Sequence, residues 1–231
     1  MIYVMLPTYN EKENIAKLIE VILALNIPKL HIVVLDDNSP DQTWKIVQDL
    51  AKKHRNVHLL LRKKNRGRGH AGRDGFLYCL EHGAERIIEM DADFSHDPRY
   101  IPRLLKAAES ADLAVGSRNV CGGKDIERGI GRHLLTELAR AYIFFVLGIT
   151  IKDPTSGYRC FTRAGLQAID PYSLKAPDPF IITEVLYRAH RRRIKIKEVP
   201  ILFHQRIAGT SKLDGKILLS NLWRILKLRF S

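Results

Sequence analysis

Residues 86–96 run Arg-Ile-Ile-Glu-Met-Asp-Ala-Asp-Phe-Ser-His, an apolar climb that breaks into two carboxylates, Asp91 and Asp93, with Ala92 between them. Magnesium and manganese prefer oxygen ligands and are commonly shared between one or two carboxylates and substrate phosphates. On a continuing strand, residues i and i+2 point the same way, so the two carboxylates can converge on one ion. A solvated turn accounts for the same residues, since Asp is common in turns and Pro98 follows closely. A second acidic pair, Asp36 and Asp37, also ends an apolar run. Two such pairs at strand ends are harder to assign to unrelated turns than either pair alone. The cations worth attention are Arg118, Arg132, Arg206 and Lys212. Arginine's planar fork suits phosphate oxygens, and lysine adds a point charge. In a chain with 38 Lys and Arg the competing reading for any one arginine is a solvated surface charge. Arg206 and Lys212 escape it best, because Gly209 and Ser211 lie between them as in a mobile phosphate-covering loop.

Positioning these groups requires a scaffold. Short apolar runs predict strands at 2–6, 30–35, 57–61, 86–90, 113–117 and 194–203. Helical spacing predicts helices over 11–25, 43–54, 71–82, 98–110, 131–148, 179–191 and 213–230, with Asn10 as the N-cap of the first. Such alternation predicts right-handed βαβ units and a mostly parallel sheet covered on both faces. Open sheets of this kind bind ligands at the carboxyl ends of their strands, where both acidic pairs fall. Residues 62–70 read as a basic, glycine-punctuated loop, either solvated or facing lipid headgroups.

Composition narrows the partners. The 231 residues make one domain, or one domain with an appended element. A net charge of +13 implies an anionic partner: phosphorylated substrates, an anionic membrane surface or nucleic acid. Nucleic acid ranks last, because aromatic residues are few and are not interleaved with the basic runs. Cys79, Cys121 and Cys160 are widely spaced and read as reduced thiols. Met1 to Leu6 runs directly into Pro7, unlike a signal peptide. The longest uncharged stretch, 141–151, is eleven residues, against the about 20 that a spanning helix needs.

Six blocks, taken together, carry a resemblance: LPTYNE at 6–11, DDNSPDQT at 36–43, DADFSH at 91–96, GSR at 116–118, DPTSGYR at 153–159 and RIAGTSK at 206–212. Over essentially the whole chain the sequence resembles the GT-A-fold, family-2 glycosyltransferases, in particular the polyprenol (dolichol) phosphate mannose synthases. The resemblance implies an α/β nucleotide-diphospho-sugar transferase fold with a mostly parallel central sheet flanked by helices. It implies a catalytic domain over 1–212 and a C-terminal amphipathic helix over 213–231. The implied reaction is inverting transfer of mannose from GDP-mannose to dolichyl (polyprenyl) phosphate, with UDP-glucose as the nearest alternative donor and Mg2+ or Mn2+ as cofactor.

By the same resemblance, Pro7, Tyr9 and Glu11 form the floor and edge of the nucleotide pocket, with Leu35 beside it and Asp37 holding base or ribose. Asp91, Ala92 and Asp93 face the sugar-diphosphate, and Asp91, Asp93 and Ser95 contact the metal. Many members have Gln where Ser95 stands, and Glu where Gln205 stands. Arg118 and Arg132 hold the acceptor phosphate, while Arg206, Ser211 and Lys212 close over the donor. Asp91, Asp93, Arg118 and Arg132 are thus the catalytic set. Asp153, Ser156 and Arg159 shape the acceptor side or form a structural turn network. His96 serves as a ligand or packs near Pro98. The final helix, with Leu222, Trp223 and Leu226 beside Arg224, Lys227 and Arg229, is expected to lie on an anionic membrane surface. A membrane subunit of another chain is the alternative cover, and either arrangement implies a peripheral protein on the cytoplasmic face. The rival from another class is a basic peripheral-membrane binding protein with a degenerate nucleotide site. Intact Asp91, Asp93, Arg206 and Lys212 argue against it.

Overall fold

The computed structural model describes residues 1–126, 130–204 and 215–230, with the main chain alone at 130–136 and 215–219. Its strands are β1 (Ile2–Thr8), β2 (Leu30–Asp36), β3 (Val57–Leu61), β4 (Arg86–Glu89), β5 (Leu113–Ser117), β6 (Lys124–Asp125), β7 (Arg159–Thr162), β8 (Ile196–Pro200) and β9 (Leu202–Phe203). Its helices are α1 (Ile15–Leu23), α2 (Thr43–Lys53), α3 (Arg68–Glu81), α4 (Ile101–Ala107), α5 (Ile130–Leu147), α6 (Arg163–Ile169), α7 (Ile181–Arg191) and α8 (Gly215–Arg229).

Seven strands form one sheet in the order β3-β2-β1-β4-β7-β5-β8, parallel except for β7, which runs antiparallel to β4 and β5. β6 and β9 make a small parallel pair apart from it. Alternation along the strands divides the apolar side chains between two faces. Tyr3, Met5, Val33 and Leu35 join the cluster that includes Phe76, Phe161 and Leu186, whereas Val4, Leu6, Ile32 and Val34 join the one that includes Ile15, Ile19 and Leu104. Both faces are therefore covered, as parallel strands require. The chain winds outward from β1 through β2 to β3 and then returns to place β4 on the other side of β1. That reversal opens a crevice at the carboxyl ends of β1 and β4.

Three local expectations are corrected. The first helix begins at Ile15, and Asn10 does not cap it: Asn10 has φ 61°. The amides of Asn10, Glu11 and Lys12 donate instead to the side chains of Ser39, Thr43 and Asp41, each at 3.0 Å. The segment after β1 is thereby tied to the segment after β2, and the regular helix starts only at Ile15. The third helix starts at Arg68, so the basic loop is shorter than its composition suggests. Its glycines permit close packing: a Cβ on Gly69 would lie 2.0 Å from the Ala176 carbonyl oxygen, and one on Gly75 2.9 Å from Met5 Cε. The helix expected over 98–110 is a 3-10 turn at Pro98–Tyr100 followed by the shorter α4. α6 and β6 lie in stretches where the sequence suggested no regular element.

Candidate active site

The site is assembled at the carboxyl ends of β1, β2 and β4. Asp36, fully buried, is a clasp: its carboxylate accepts from Thr8 Oγ1 at 3.0 Å and from the Ser39 amide and hydroxyl at 2.8 Å. This fixes the ends of β1 and β2 against each other and turns the next residue, Asp37, into the crevice. Asp37 accepts from the Gly67 amide at 2.6 Å and pairs with Arg62, which also donates to Asp74 at 2.9 Å. Burial pushes the Asp37 carboxyl above its ordinary value, more than Gly67 and Arg62 hold it down.

β4 ends at Glu89, so Asp91 and Asp93 do not converge by strand alternation. A tight bend brings them together instead. Phe94 takes φ 61°, and Ser95 donates its amide (3.0 Å) and hydroxyl (2.6 Å) to Asp93 Oδ1. The Asp91 amide donates to His96 Nδ1 at 3.0 Å. That bond makes Nδ1 an acceptor and leaves the imidazole proton on Nε2. His96 is buried, stacked on Tyr158 at 4.8 Å and edge-on to Phe203 at 5.5 Å, and burial lowers its pKa more than the neighbouring carboxylates raise it. It packs and anchors the bend, the second of its two expected roles.

The resulting cleft of about 300 Å3 is lined by Pro7, Tyr9, Glu11, Asp37, Asp91, Ala92 and Asp93 of the expected set. Leu35 is fully buried, with its side chain against Gly75, and does not line it. Ser95 does not line it either and is bonded to Asp93. Arg118 also stands outside the lining: it donates to Asp153 through Nε (2.7 Å) and Nη2 (2.6 Å) and to Thr155 at 2.8 Å. Burial pushes Asp153 up, yet the Arg118 bonds and charge outweigh it and hold the carboxyl below its ordinary value. The 153–159 segment thus contains the turn network that was one of its two readings. Arg206 and Lys212, with Ser211, lie outside the described residues, as does the side chain of Arg132.

Five lining residues escaped sequence reasoning: Thr8, Arg68, Ala71, Pro179 and Ile182. Arg68 Nη2 bridges Glu89 (2.9 Å) and Asp91 (3.5 Å), while its buried Nη1 finds no hydrogen-bond partner among the described residues. The signal was Glu89, a lone carboxylate inside an apolar run. Buried as it is, it demands a cation, and Arg159 faces it across the β4–β7 register. Arg159 is fully buried, and desolvation pulls its guanidinium down to about 10.

As a metal site, the donor set is two carboxylates. No group of three or more His, Cys, Asp or Glu side chains suited to a metal occurs among the described residues. Two carboxylates on one cleft fit a magnesium or manganese ion that completes its shell with phosphate oxygens and water.

Residues 3–169 match the family described as Glycosyl transferase family 2. The chain belongs to that family. Among family-2 relatives, it is 37% identical over 212 residues to the undecaprenyl-phosphate mannosyltransferase of Micrococcus luteus, covering 92% of this chain and 87% of that protein. It is 38% identical over 214 residues to the polyprenol monophosphomannose synthase of Mycolicibacterium smegmatis, covering 92% and 80%. A dolichol-phosphate mannosyltransferase of Pyrococcus furiosus is 36% identical, and the match covers 97% of this chain but 62% of that longer protein. The fold is that of glucosyl-3-phosphoglycerate synthase from Mycobacterium tuberculosis, solved with Mn2+, UDP-glucose and phosphoglyceric acid. The TM-score is 0.70 at 20% identity, over 99% of this chain and 79% of that one.

Proposed function

We propose that this family-2 glycosyltransferase moves mannose, with inversion, from GDP-mannose to a polyprenyl (dolichyl) phosphate. The observation that carries the reading is the convergence of Tyr9, Asp37, Asp91 and Asp93 on one cleft. The likeness of the chain to mannosyltransferases of three polyprenyl-type phosphates supports the same reading. Tyr9, half-exposed at the rim, offers a face to the base, and Asp37 accepts from base amines or ribose hydroxyls. Asp91 and Asp93 hold Mg2+ or Mn2+ against the diphosphate, with Ser95 fixing the Asp93 carboxylate. A divalent ion there neutralises charge on the departing nucleoside diphosphate.

The acceptor needs no strong base, because a phosphate monoester has its second pKa near 6 and is largely a dianion at pH 7. One of its oxygens forms the bond to the anomeric carbon as the bond to the diphosphate breaks on the opposite face. The chain's task is to bring two anions together. Arg118, Arg132, Arg206 and Lys212 are assigned to that task, with Arg118 anchored by Asp153 so that its Nη1 edge, 3.9 Å from Asp125, is the part left for a phosphate.

No described helix is long and apolar enough to cross a membrane. We assign the lipid contact to the 213–231 segment beside the 1–212 catalytic domain, at the cytoplasmic face of an anionic membrane, on its own or through a membrane subunit. Exposed Trp223, Leu226 and Phe230 support that assignment.

The decisive experiment is transfer from radiolabelled GDP-mannose or UDP-glucose to a short polyprenyl phosphate, with Mg2+, Mn2+ or chelator. Labelled lipid from GDP-mannose alone, lost with chelator and in Asp93→Ala, is the expected result. Undiminished turnover by folded Asp93→Ala would reduce the carboxylates to turn residues.

A further inference from the structure

A cavity of about 860 Å3 among the described residues is distinct from the catalytic cleft. It lies between the end of α6, α7 and α8, and its walls are apolar at Ile169, Phe180, Tyr187 and Leu228. Around those walls stand six cations: Lys175, Arg188, Arg191, Arg192, Arg224 and Lys227. Glu184, the carboxylate among its lining residues, is already committed. It accepts from the amides of Lys175 (3.1 Å) and Ala176 (2.9 Å) and from Arg188 (3.0 Å). Arg224 pairs with Asp178 at 2.7 Å and lies 4.1 Å over the Phe180 ring. Lys175, Arg191, Arg192 and Lys227 have no acidic partner within salt-bridge distance among the described residues. The cleft therefore presents apolar walls and four uncompensated cations, a combination that suits an anion carried on an apolar chain.

α8 says where that anion comes from. Ile225 faces the core, and Arg224, Lys227 and Leu228 line the cleft. On the remaining flank Trp223 is 65% and Phe230 83% exposed, with Phe145 of α5 at 82%. One helix thus places an outward apolar stripe directly beside a cationic cleft. A basic helix with Trp on its apolar side binds at the headgroup level of a bilayer.

We propose that the α7–α8 cleft is a headgroup site for an anionic phospholipid, its phosphate held by Arg191, Arg192 and Lys227 and its acyl chains continuing along the Trp223–Phe230 flank. The proposal rests on the membrane-surface reading above and adds to it a built site with a preference for anionic lipid. Because the cleft is separate from the 300 Å3 catalytic cleft, its occupant is a lipid that docks the enzyme, distinct from the one that receives the sugar.

The test is co-sedimentation of the full chain with vesicles of phosphatidylcholine, with or without phosphatidylglycerol. Each Lys or Arg near an anionic leaflet is worth about fivefold in partitioning. Arg191→Gln/Arg192→Gln should therefore lose roughly 25-fold on phosphatidylglycerol vesicles while keeping its melting temperature and its transfer rate to a short acceptor in detergent. A control of larger charge change on the opposite face of the sheet, Lys53→Glu/Lys106→Glu, should lose far less. Soluble glycerol phosphate should fail to compete, since it lacks the chains. If the control loses as much as the cleft variant, only net charge is at work and the site is refuted. If Trp223→Ser/Phe230→Ser abolishes binding while Arg191→Gln/Arg192→Gln binds like the parent, the cleft is refuted and the membrane reading stands. If the parent ignores both vesicle types, the membrane reading falls and takes the cleft with it.

Discussion

Arg68→Gln removes the cation that joins β4 to the acidic bend, and its effect can be worked from the contacts. Arg68 is 18% exposed at its side chain and Glu89 2%, so their 2.9 Å bond is shielded from solvent. Breaking a buried ion pair by removing one partner costs about 3–5 kcal/mol when the survivor is left without compensation, and a hydrogen bond to a charged group is worth about 1.5–3 kcal/mol. Glu89 keeps a second cation, Arg159, opposite it in register, which moves the expected loss toward the lower range. We expect about 2–3 kcal/mol, or a fall in Tm of about 4–12 °C for a chain of this size. Urea unfolding of Arg68→Gln, Glu89→Gln and the double variant measures the coupling directly. It should exceed about 1.5 kcal/mol. A stability change within about 0.5 kcal/mol, with no coupling to Glu89, would show that the guanidinium is not part of the fold's charge balance.

Three further outcomes follow from the same geometry. Asp153 titrates below its ordinary value, so its contribution is complete above about pH 4 and is lost as pH falls through the lower folded value. Asp153→Asn should lose about 3–5 kcal/mol at neutral pH and show a shallower acid limb, and parallel acid limbs would refute the pairing. His31 and His58, 3.1 Å apart and stacked beside Tyr3, are both lowered by burial first, so stability is complete above about pH 6.5 and falls as pH drops below it. His58→Gln should flatten that fall in chemical denaturation between about pH 7 and 5. Gly69→Ala places a methyl 2.0 Å from the Ala176 carbonyl, so it should lose about 1–3 kcal/mol or more and raise the donor KM by shifting Pro179 in the cleft.

Much of the scaffold was legible because burial follows period. The runs at 2–6, 30–35 and 113–117 read as strands, and each lies within or along an observed one. What failed was what depends on distant partners. Asn10 is a good cap by type, yet the hydroxyls of Ser39 and Thr43 reach its neighbourhood from another loop. The first turn of α3 was hidden because Gly69 serves a contact with Ala176, more than a hundred residues away, and glycine carries no helical signal of its own. At the site, Asp91 and Asp93 were found as a pair for a reason that proved wrong, since a bend at Phe94 and not strand alternation brings them to one cleft. Arg68 was unreadable as a single residue among many cations, while Glu89 pointed to it. Pro179 and Ile182 reach the cleft from a segment whose local pattern shows only a helix start.

The antiparallel insertion of β7 has a consequence for synthesis on the ribosome. β4 and β5 do not pair with each other; β7 lies between them, and its residues follow β5 by roughly forty positions. Translation at about 5–20 residues per second leaves β5 without either neighbour for about 2–8 s after it is made. All five of its residues are buried in the finished sheet, and an unpaired apolar strand is a template for association with other chains. The first half of the protein, β1 to β4 with α1 to α3, can close before that interval begins. The nascent chain's window of exposure to chaperones and to aggregation is therefore set by when Arg159–Thr162 emerges, and a pause placed between β5 and β7 would lengthen it.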